Sequence, residues 1–434
     1  MNRHTIQQSI LNVFTNGFFS PLSIANYRRL LTSNSLWSAS FYMENLAMGW
    51  MVLELTDSAL MVSFIDFFRR LPFLALGFLA GPIIDRLGRY HTIIYTTILD
   101  ICFYSLLAGL IWSQRVELWH IYTITFIVGS LWGTSWPARR GLMPDIVGKE
   151  RTVDVLAIDR GGQGSAQIVG PALAGIVVAS YGITGCFIVL IAVHLINFSA
   201  LLTIRLSPTE QPPTEQPPTD ATKEHEEKPA GESPIQQIWA GLAYARHHPI
   251  VIGIFLFTLV ANMLIYPVQT LLPVFARDVL NQGPVGLGWL GAAMGIGTFV
   301  GLFVVTLWRR HGGRFGNDGS VFMFGTMFYC IALFVFALSP YYWLSWSVMV
   351  IAGIGHMSLG LLGVGMMMVM VEDEMRNRMM GLLVLAIGIG PFGRLMAGFL
   401  AELYGAPFTL AMTTSIALVL VVLISVMIPQ LRRM

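Results

Sequence analysis

Residues 58–89 read SALMVSFIDFFRRLPFLALGFLAGPIIDRLGR, a long apolar run that ends in a turn of glycine and arginine. A helix of about 20 apolar residues crosses the roughly 30 Å hydrocarbon layer and satisfies its own backbone hydrogen bonds there. The same pattern recurs along the 434 residues, which are 55% hydrophobic and only 12% charged. Ordinary soluble domains are about a quarter charged, so the composition predicts an all-α membrane protein.

Twelve apolar segments are long enough to cross the membrane. The predicted spans are 33–54, 58–84, 91–113, 118–138, 155–180, 183–204, 250–274, 285–307, 320–339, 342–370, 379–401 and 405–429. Both termini and every even-to-odd loop are basic, whereas the opposite loops hold only Arg115 and Arg277. Positive loops stay on the cytoplasmic side, so we expect a multi-pass protein of the bacterial inner membrane with both termini in the cytoplasm.

The spans divide into two sets of six. Between them, residues 205–234 are rich in Pro, Glu and Thr, with TEQPP written twice, a composition typical of an extended linker. We therefore predict a cytoplasmic extension at 1–30, a six-helix bundle at 31–204, the linker at 205–234, an interfacial helix at 235–249 and a second six-helix bundle at 250–434. Gly170-Pro171 is echoed by Gly390-Pro391, which indicates parallel repeats with a binding site between them at mid-depth.

The second span ends in Gly81-Pro-Ile-Ile-Asp85-Arg86-Leu-Gly88-Arg89. This stretch resembles the signature loop GxxxDRxGR of the major facilitator superfamily. Gly81 and Gly88 permit close approach and a tight turn, Asp85 suits a helix N-terminus, and the arginines can pair with acids. In the family this loop contacts the eleventh helix, which the resemblance places after Glu372, Asp373 and Glu374. The plainer alternative is a positively charged turn with incidental charges.

Further runs carry the resemblance over nearly the whole chain. NYRRLL, PARRGLMPDIV, LLPVFARDVL and GPFGRLMAGFLAE are similar to sequences of macrolide-type drug exporters and the enterobactin exporter. In the fifth span, Gly164, Gly170, Pro171 and Gly175 partly resemble the antiporter motif of that subgroup, with Ala174 in place of one expected glycine. The alternative is a plain packing seam of small residues, which Gly291, Gly295, Gly297 and Gly301 would face.

Several ionisable residues fall inside the apolar spans, where each charge needs a partner, water or a function. Glu44 counts to about mid-membrane and is the first proton-carrier candidate, the alternative being a carboxylate satisfied by Asn45. Asp100 is the second candidate, the alternative being a carboxylate capped by Thr96 or Thr97. We expect the lone histidines His194 and His356 to be packing residues.

Asp66, Arg69 and Arg70 form a charged cluster in the second span. Their spacing lets the acid pair with either arginine on one helix face. Arg394 in the eleventh span counts to the same depth as Asp66, and in the family these two helices meet. The competing hypothesis is therefore a salt bridge between Asp66 and Arg394 that closes the outer side of the protein and breaks when it opens outward.

The resemblance implies that the first and seventh helices line the central pathway, which makes six residues candidates for the cavity wall: Phe41, Trp50, Asn262, Met263, Tyr266 and Gln269. Flexible methionine and aromatic walls suit a bulky amphipathic compound better than a sugar. The three cysteines lack metal or redox spacing, so we expect free buried thiols and no metal. No nucleotide-binding motif and no catalytic grouping is present, so we expect neither ATP drive nor an enzyme.

These observations predict an exporter of a drug-like or siderophore-like compound that exchanges it for protons as two halves rock. Its expected partners are the lipid bilayer, the small-molecule substrate and protons, with no cofactor and no nucleic acid, and we expect a monomer. Uptake, facilitated diffusion or lipid transport by the same fold are alternatives, since fold does not fix direction or substrate. A membrane sensor that no longer transports is a second alternative.

Overall fold

The computed structural model describes residues 19–205, 245–311, 317–370 and 385–433, together with 375, 379 and 382. The helices before residue 205 are α1 (Ala25–Thr56), α2 (Ala59–Leu87), α3 (Arg89–Trp112), α4 (Leu118–Val147) and the run Thr152–Leu202. That run holds α5 (152–181) and α6 (183–202), because Gly182 between them has φ 70°, outside the helical range. Short 3₁₀ helices lie at Ser20–Ser23, Lys149–Arg151 and Pro429–Arg433.

The second set of helices begins with α7, an interrupted helix over Pro249–Val279. Its α-helical parts Pro249–Val260 and Val268–Val274 alternate with π-helical turns at Ala261–Ile265 and Phe275–Val279. The helices that follow are α8 (Pro284–His311), α9 (Asp318–Leu338), α10 (Tyr342–Met370), α11 (Gly390–Tyr404) and α12 (Ala406–Met427). Pro267 and Pro273 remove backbone donors from α7, and broken helices are tolerated at membrane depth beside protein or a cavity.

Eight helical segments of the described residues are long and apolar enough to cross a membrane. The count of twelve spans remains a prediction, because α1, α2 and α4 fall outside that set and the α5–α6 run is counted in it once. The exterior is apolar: Trp112, Tyr181 and Val426 are each more than 70% exposed, as suits a surface that faces lipid.

Two details of the sequence analysis are wrong. The fourth helix continues to Val147, nine residues past its predicted end, so Arg139 lies inside it and is 2% exposed rather than in a basic loop. Cys186 and Cys330 are buried free thiols as expected, but Cys102 is an exposed free thiol on α3.

Much of the predicted cytoplasmic side lies outside the described residues. This applies to the linker at 205–234 after Arg205, to the predicted interfacial helix at 235–249 before Ala245, and to the acidic residues Glu372, Asp373 and Glu374. The division into two bundles therefore stays a prediction.

Two helix pairs join the halves through small residues. Gly175 on α5 packs against Gly288 on α8, where an added Cβ would lie 3.0 Å from the Gly288 Cα. Gly398 on α11 packs against Ser63 on α2, where an added Cβ would lie 2.3 Å from the hydroxyl oxygen. Glycine thus lets each pair of backbones approach, and the two seams flank the space between the halves.

Candidate functional site

A buried ion pair lies among the helices of the N-terminal half. Glu44 on α1 and Arg69 on α2 are 1% and 5% exposed, and Arg69 Nη1 donates to Glu44 Oε2 at 2.7 Å. The hydroxyl of Tyr104 on α3 donates to the same oxygen at 3.0 Å. Three helices therefore meet around one carboxylate, and breaking such a buried pair costs about 3–5 kcal/mol because it strands a charge.

A small cavity surrounds this pair, and we call it the inner polar cavity. Asp100 on α3 and His194 on α6 also line it, and both are buried. Within the part of the chain that the structure describes, Glu44 Oε1 and Asp100 Oδ1 have no hydrogen-bond partner. Two carboxylates with spare lone pairs in one cavity can each accept a proton, which would remove a costly buried charge.

The sequence did not reveal the partner of Glu44. Asn45, the suggested neighbour, lines a different cavity. Arg69 pairs with Glu44 and not with Asp66. The partner of Arg69 depends on how α2 is rotated about its axis relative to α1, because that rotation decides which side chains of α2 face α1. Tyr104 was also missed, although it lies one turn after Asp100 and so shares its helix face.

The alternative reading of Asp100 does not hold in the structure. Thr96 donates its hydroxyl to the backbone carbonyls of Thr92 and Ile93, and Thr97 donates to the carbonyl of Ile93. Each threonine has one hydroxyl proton, so neither caps the Asp100 carboxylate in this arrangement.

Asp66 reaches across the interface between the halves. Its Oδ2 lies 3.7 Å from Nε of Arg394 on α11, and it accepts a hydrogen bond from the hydroxyl of Thr270 on α7. All three residues are buried. The structure thus brings Asp66 and Arg394 together as the sequence hypothesis expects, whereas the gating role of the pair stays a prediction.

Further polar contacts join the halves near the start of α2, at what we call the Asp57 end. Arg277 Nη2 lies 2.5 Å from Asp57 Oδ1, and Arg277 Nη1 donates to the Leu53 carbonyl at 3.0 Å. Ser58 donates its hydroxyl to Glu402 Oε2 at 2.9 Å. With Asp66 and its partners, these contacts hold α1 and α2 against α7 and α11.

The central cavity lies between the halves and has a volume of about 100 Å³. Its wall combines polar groups with a larger apolar surface from both halves. The residues include Phe41, Asn45, Leu46, Val62, Ile65, Asp66, Arg70, Gln269, Thr270, Leu272, Met294 and Met349. Phe41 also lines the inner polar cavity, so its side chain borders both spaces.

A third cavity adjoins the central one, because Arg70 and Gln269 line both. We call it the arginine cavity, since Arg70 from α2, Arg160 from α5 and Arg394 from α11 all face it. Its remaining wall includes Thr258, Asn262, Tyr266, His356, Leu359 and Ile387.

Four of the six candidate wall residues line these cavities, namely Phe41, Asn262, Tyr266 and Gln269. The other two do not. Trp50 is buried and donates its indole N–H to Glu54 Oε1 at 2.6 Å. The backbone of Met263 packs against Gly393 of α11, and a Cβ added to Gly393 would lie 2.6 Å from the Met263 Cα. His356 packs as expected, with its ring centroid 5.6 Å from those of Tyr266 and Tyr329.

The signature loop forms the turn between α2 and α3. Gly88 has φ 77°, a backbone conformation that favours glycine, as its predicted role in a tight turn requires. Arg89 pairs with Asp145 of α4 at 2.5 Å. Gly81 makes no close approach, because an added Cβ would meet open space. Asp85 and Arg86 border the turn, and their predicted contact near the eleventh helix falls outside the described residues.

The glycines of α5 pack against more than one neighbouring helix. Gly170 packs on α1 at Ala39, whereas Gly175 faces α8 and Gly164 lies near Phe299 of α8. Gly291 and Gly295 of α8 face Pro171 and Gln167 of α5, as the packing-seam reading expects. Gly297 and Gly301 instead pack on α10, within their own half.

A second buried polar group was missed by the sequence analysis. Arg139 donates from Nη1 to the hydroxyl oxygen of Ser33 and to Asn34 Oδ1, at 2.9 and 3.0 Å. Asn34 in turn donates to Asp159 Oδ1 at 2.9 Å. The signal was an arginine beside a long apolar run, which was read as the helix end. This group ties α1, α4 and α5 together.

Comparison with known proteins identifies the class. The sequence model of the Major Facilitator Superfamily matches residues 30–370, and the chain belongs to this superfamily. It is therefore a membrane transporter, not an enzyme, and the predicted all-α membrane fold is confirmed.

One curated relative is a drug efflux pump. The chain is 23% identical over 395 residues, 89% of this chain and 92% of the relative, to the multidrug efflux pump Tap of Mycolicibacterium fortuitum. Among solved structures, a mutant of the peptide transporter POT superposes with a TM-score of 0.75 at 13% identity, covering 94% of this chain and 95% of that one. A mutant of the nucleoside transporter NupG gives 0.70 at 14% identity, covering 93% and 99%. These structural likenesses define the fold alone.

Proposed function

We propose that this protein exports an amphipathic small molecule in exchange for protons, with the two bundles rocking about the central cavity. The observation that carries the proposal is the inner polar cavity, where Glu44 and Asp100 are buried with one unpartnered carboxylate oxygen each among the described residues. A buried acid inside a membrane helix is a functional site by default, because its charged form is costly there.

Phe41 couples the protonation of Glu44 to the binding of cargo in this proposal. Its ring lies 5.6 Å from the guanidinium carbon of Arg69 and forms part of the central cavity wall. Protonation of Glu44 weakens the Glu44–Arg69 pair, which frees Arg69 and the ring beside it to move. Cargo that packs against Phe41 holds the ring and Arg69 in place and favours the charged Glu44–Arg69 pair, so cargo and a proton compete for the protein.

The contacts of the Asp57 end and the Asp66–Arg394 pair supply the gate in this proposal. They join the halves on the side that the positive-inside pattern assigns to the periplasm. Breaking them lets the halves part on that side, and a buried pair that breaks and re-forms gives two discrete states. Likeness to the efflux pump Tap supports the outward direction.

The proposal is tested in proteoliposomes with a panel of amphipathic drugs and catechol-type chelators. Each compound is set at the same concentration inside and outside, an inward proton gradient is imposed, and both compound efflux and internal pH are followed. We expect at least one compound to leave against its gradient with proton entry, and Glu44→Gln to abolish that coupling. Flux indifferent to pH and to Glu44 would identify a facilitator instead. The control Glu54→Gln changes an acid on the same helix outside the inner polar cavity.

A further inference from the structure

We infer that the arginine cavity binds an oxyanion carried by the cargo, such as a carboxylate, a phosphate or an ionised catechol. The inference rests on the proposed transport function and narrows its substrate class. Arg70, Arg160 and Arg394 come from three helices and from both halves, and no acidic residue belongs to the described lining of the cavity. Three cations around one space favour a negative ligand.

The guanidinium groups keep donors to spare. Arg70 Nε is buried without a partner among the described residues, and Arg394 has Asp66 as its ion partner at 3.7 Å, beyond hydrogen-bond length. Arg160 is exposed and donates one Nη1 hydrogen bond to Gln163 at 3.0 Å. Each guanidinium has five N–H donors in a planar fork that matches an oxyanion, so most of them remain available for a ligand.

The neighbouring walls suit an amphipathic anion. Asn262, Tyr266 and Gln269 add neutral polar groups beside the arginines, while Leu359 and Ile387 add apolar surface. Through Arg70 and Gln269 the space continues into the central cavity, whose larger wall area is apolar. A ligand with its charged head near Arg160 therefore places its apolar body between the halves.

The position of Arg394 links this ligand to the gate. Arg394 faces the arginine cavity and is also the ion partner of Asp66 across the interface. An oxyanion that contacts Arg394 competes with Asp66 for the same guanidinium. Cargo binding thereby weakens a contact that holds the halves together, and a neutral analogue of the same shape does not.

The test measures binding by equilibrium dialysis to the full chain in nanodiscs of phosphatidylcholine. The probes are matched acid and amide pairs: dansylglycine with dansylglycinamide, 2-naphthoate with 2-naphthamide, and dihydroxybenzoylglycine with its amide. Arg160→Gln is the main variant, because its exposed side chain can change without leaving a buried charge. Arg115→Gln removes the same charge from a loop outside the cavity and is the matched control.

We expect at least one acid to bind about tenfold more tightly than its amide, with that preference lost in Arg160→Gln and kept in Arg115→Gln. The inference is overturned if no acid binds more tightly than its amide, or if Arg160→Gln retains the preference. Export of an amide that depends on Glu44, without any acid preference, would uphold the proposed function and overturn this inference. Tighter binding of an acid than of its amide, together with compound flux that does not depend on protons, would uphold this inference and overturn the proposed function.

Nanodiscs that contain phosphatidylglycerol distinguish a soluble anion from a lipid headgroup. Both ligands offer the same oxyanion to the arginines, so both outcomes support the site. Undiminished binding of the acid probe identifies a soluble anion. Competition by phosphatidylglycerol in wild type, absent in Arg160→Gln, identifies the headgroup as an occupant.

Discussion

The two halves of the molecule share a helical plan but differ in buried charge. Among the described residues, the N-terminal half buries Glu44, Asp66, Arg69, Asp100, Arg139 and Asp159, whereas the C-terminal half buries Arg394. The corresponding interior of the C-terminal half is aromatic, with the rings of Phe257 and Phe322 5.0 Å apart and those of Phe275 and Phe336 4.8 Å apart.

This difference divides the work of the protein. Buried ion pairs respond to protonation, whereas the packing of phenylalanine rings does not. In the function that we propose, proton coupling therefore belongs to the N-terminal half, and the interior of the C-terminal half is mainly structural. Arg394 is the exception, and it faces the N-terminal half through Asp66.

The largest effect is expected at Glu44 and Arg69. Glu44→Gln or Arg69→Gln alone leaves a buried charge without its partner, so each should lower stability by about 3–5 kcal/mol. The double variant removes both charges and should recover most of that loss, as thermal unfolding in detergent would show. Transport should stay uncoupled in all three. Additive losses in the double variant would contradict a direct pair.

The second effect concerns the contact between the halves. Asp66→Arg or Arg394→Asp places like charges at the interface, which should cost about 2–3 kcal/mol and stop transport. The combined charge swap should restore part of the flux, measured in vesicles. Rescue is incomplete because Thr270 loses its carboxylate acceptor. If the swap is as inactive as the single variants, Asp66 and Arg394 do not act as a pair.

Packing, unlike charge, should behave alike in both halves. A Cβ at Gly129 would lie 2.2 Å from the Arg69 carbonyl oxygen, and one at Gly297 would lie 1.9 Å from that of Val350. Each Gly→Ala change should therefore cost about 1–3 kcal/mol through helix displacement, seen as a lower unfolding temperature. Gly109→Ala, where a Cβ meets open space, is the control and should be neutral or slightly stabilising. A silent Gly129→Ala would contradict the α2–α4 packing.

The smallest effect is expected at Ser58. Its side chain caps α2 by accepting from the Met61 N–H at 3.2 Å and also donates to Glu402. Ser58→Ala should cost about 1 kcal/mol and shift the population toward the state open at the Asp57 end. Distances between spin labels on α2 and α11 would report the shift. Ser58→Asp keeps the cap but opposes Glu402, so it should open that end further; an unchanged distance distribution would exclude a gating contact.

The sequence predicted the helices well because membrane spans are long and apolar. Apolar run length, basic loops and the turn at Gly88 depend on local chemistry, which a sequence displays directly. The end of α4 was misplaced at Arg139, because an arginine is read as a boundary when its partners Ser33 and Asn34 lie about one hundred residues away.

The sequence predicted which residues form the candidate site, but it predicted only some of the pairs that those residues form. Four charged residues stood out within apolar spans, namely Glu44, Asp66, Asp100 and Arg394. Counting residues from the membrane surface placed Asp66 and Arg394 at the same depth and so predicted their contact. The Glu44–Arg69 pair did not follow from spacing, since i, i+3 spacing describes one helix and not the neighbour it faces. Rotation of packed helices was the information that a single sequence lacked.

The central claim is that proton coupling resides in the N-terminal half. The most direct test is proton release on binding: the tightest compound of the panel is added to the weakly buffered, purified protein, and the pH change is recorded. We predict proton release by wild type and by His356→Asn, and none by Glu44→Gln at saturating compound. Release that persists in Glu44→Gln and disappears in His356→Asn would contradict the account and place coupling in the C-terminal half.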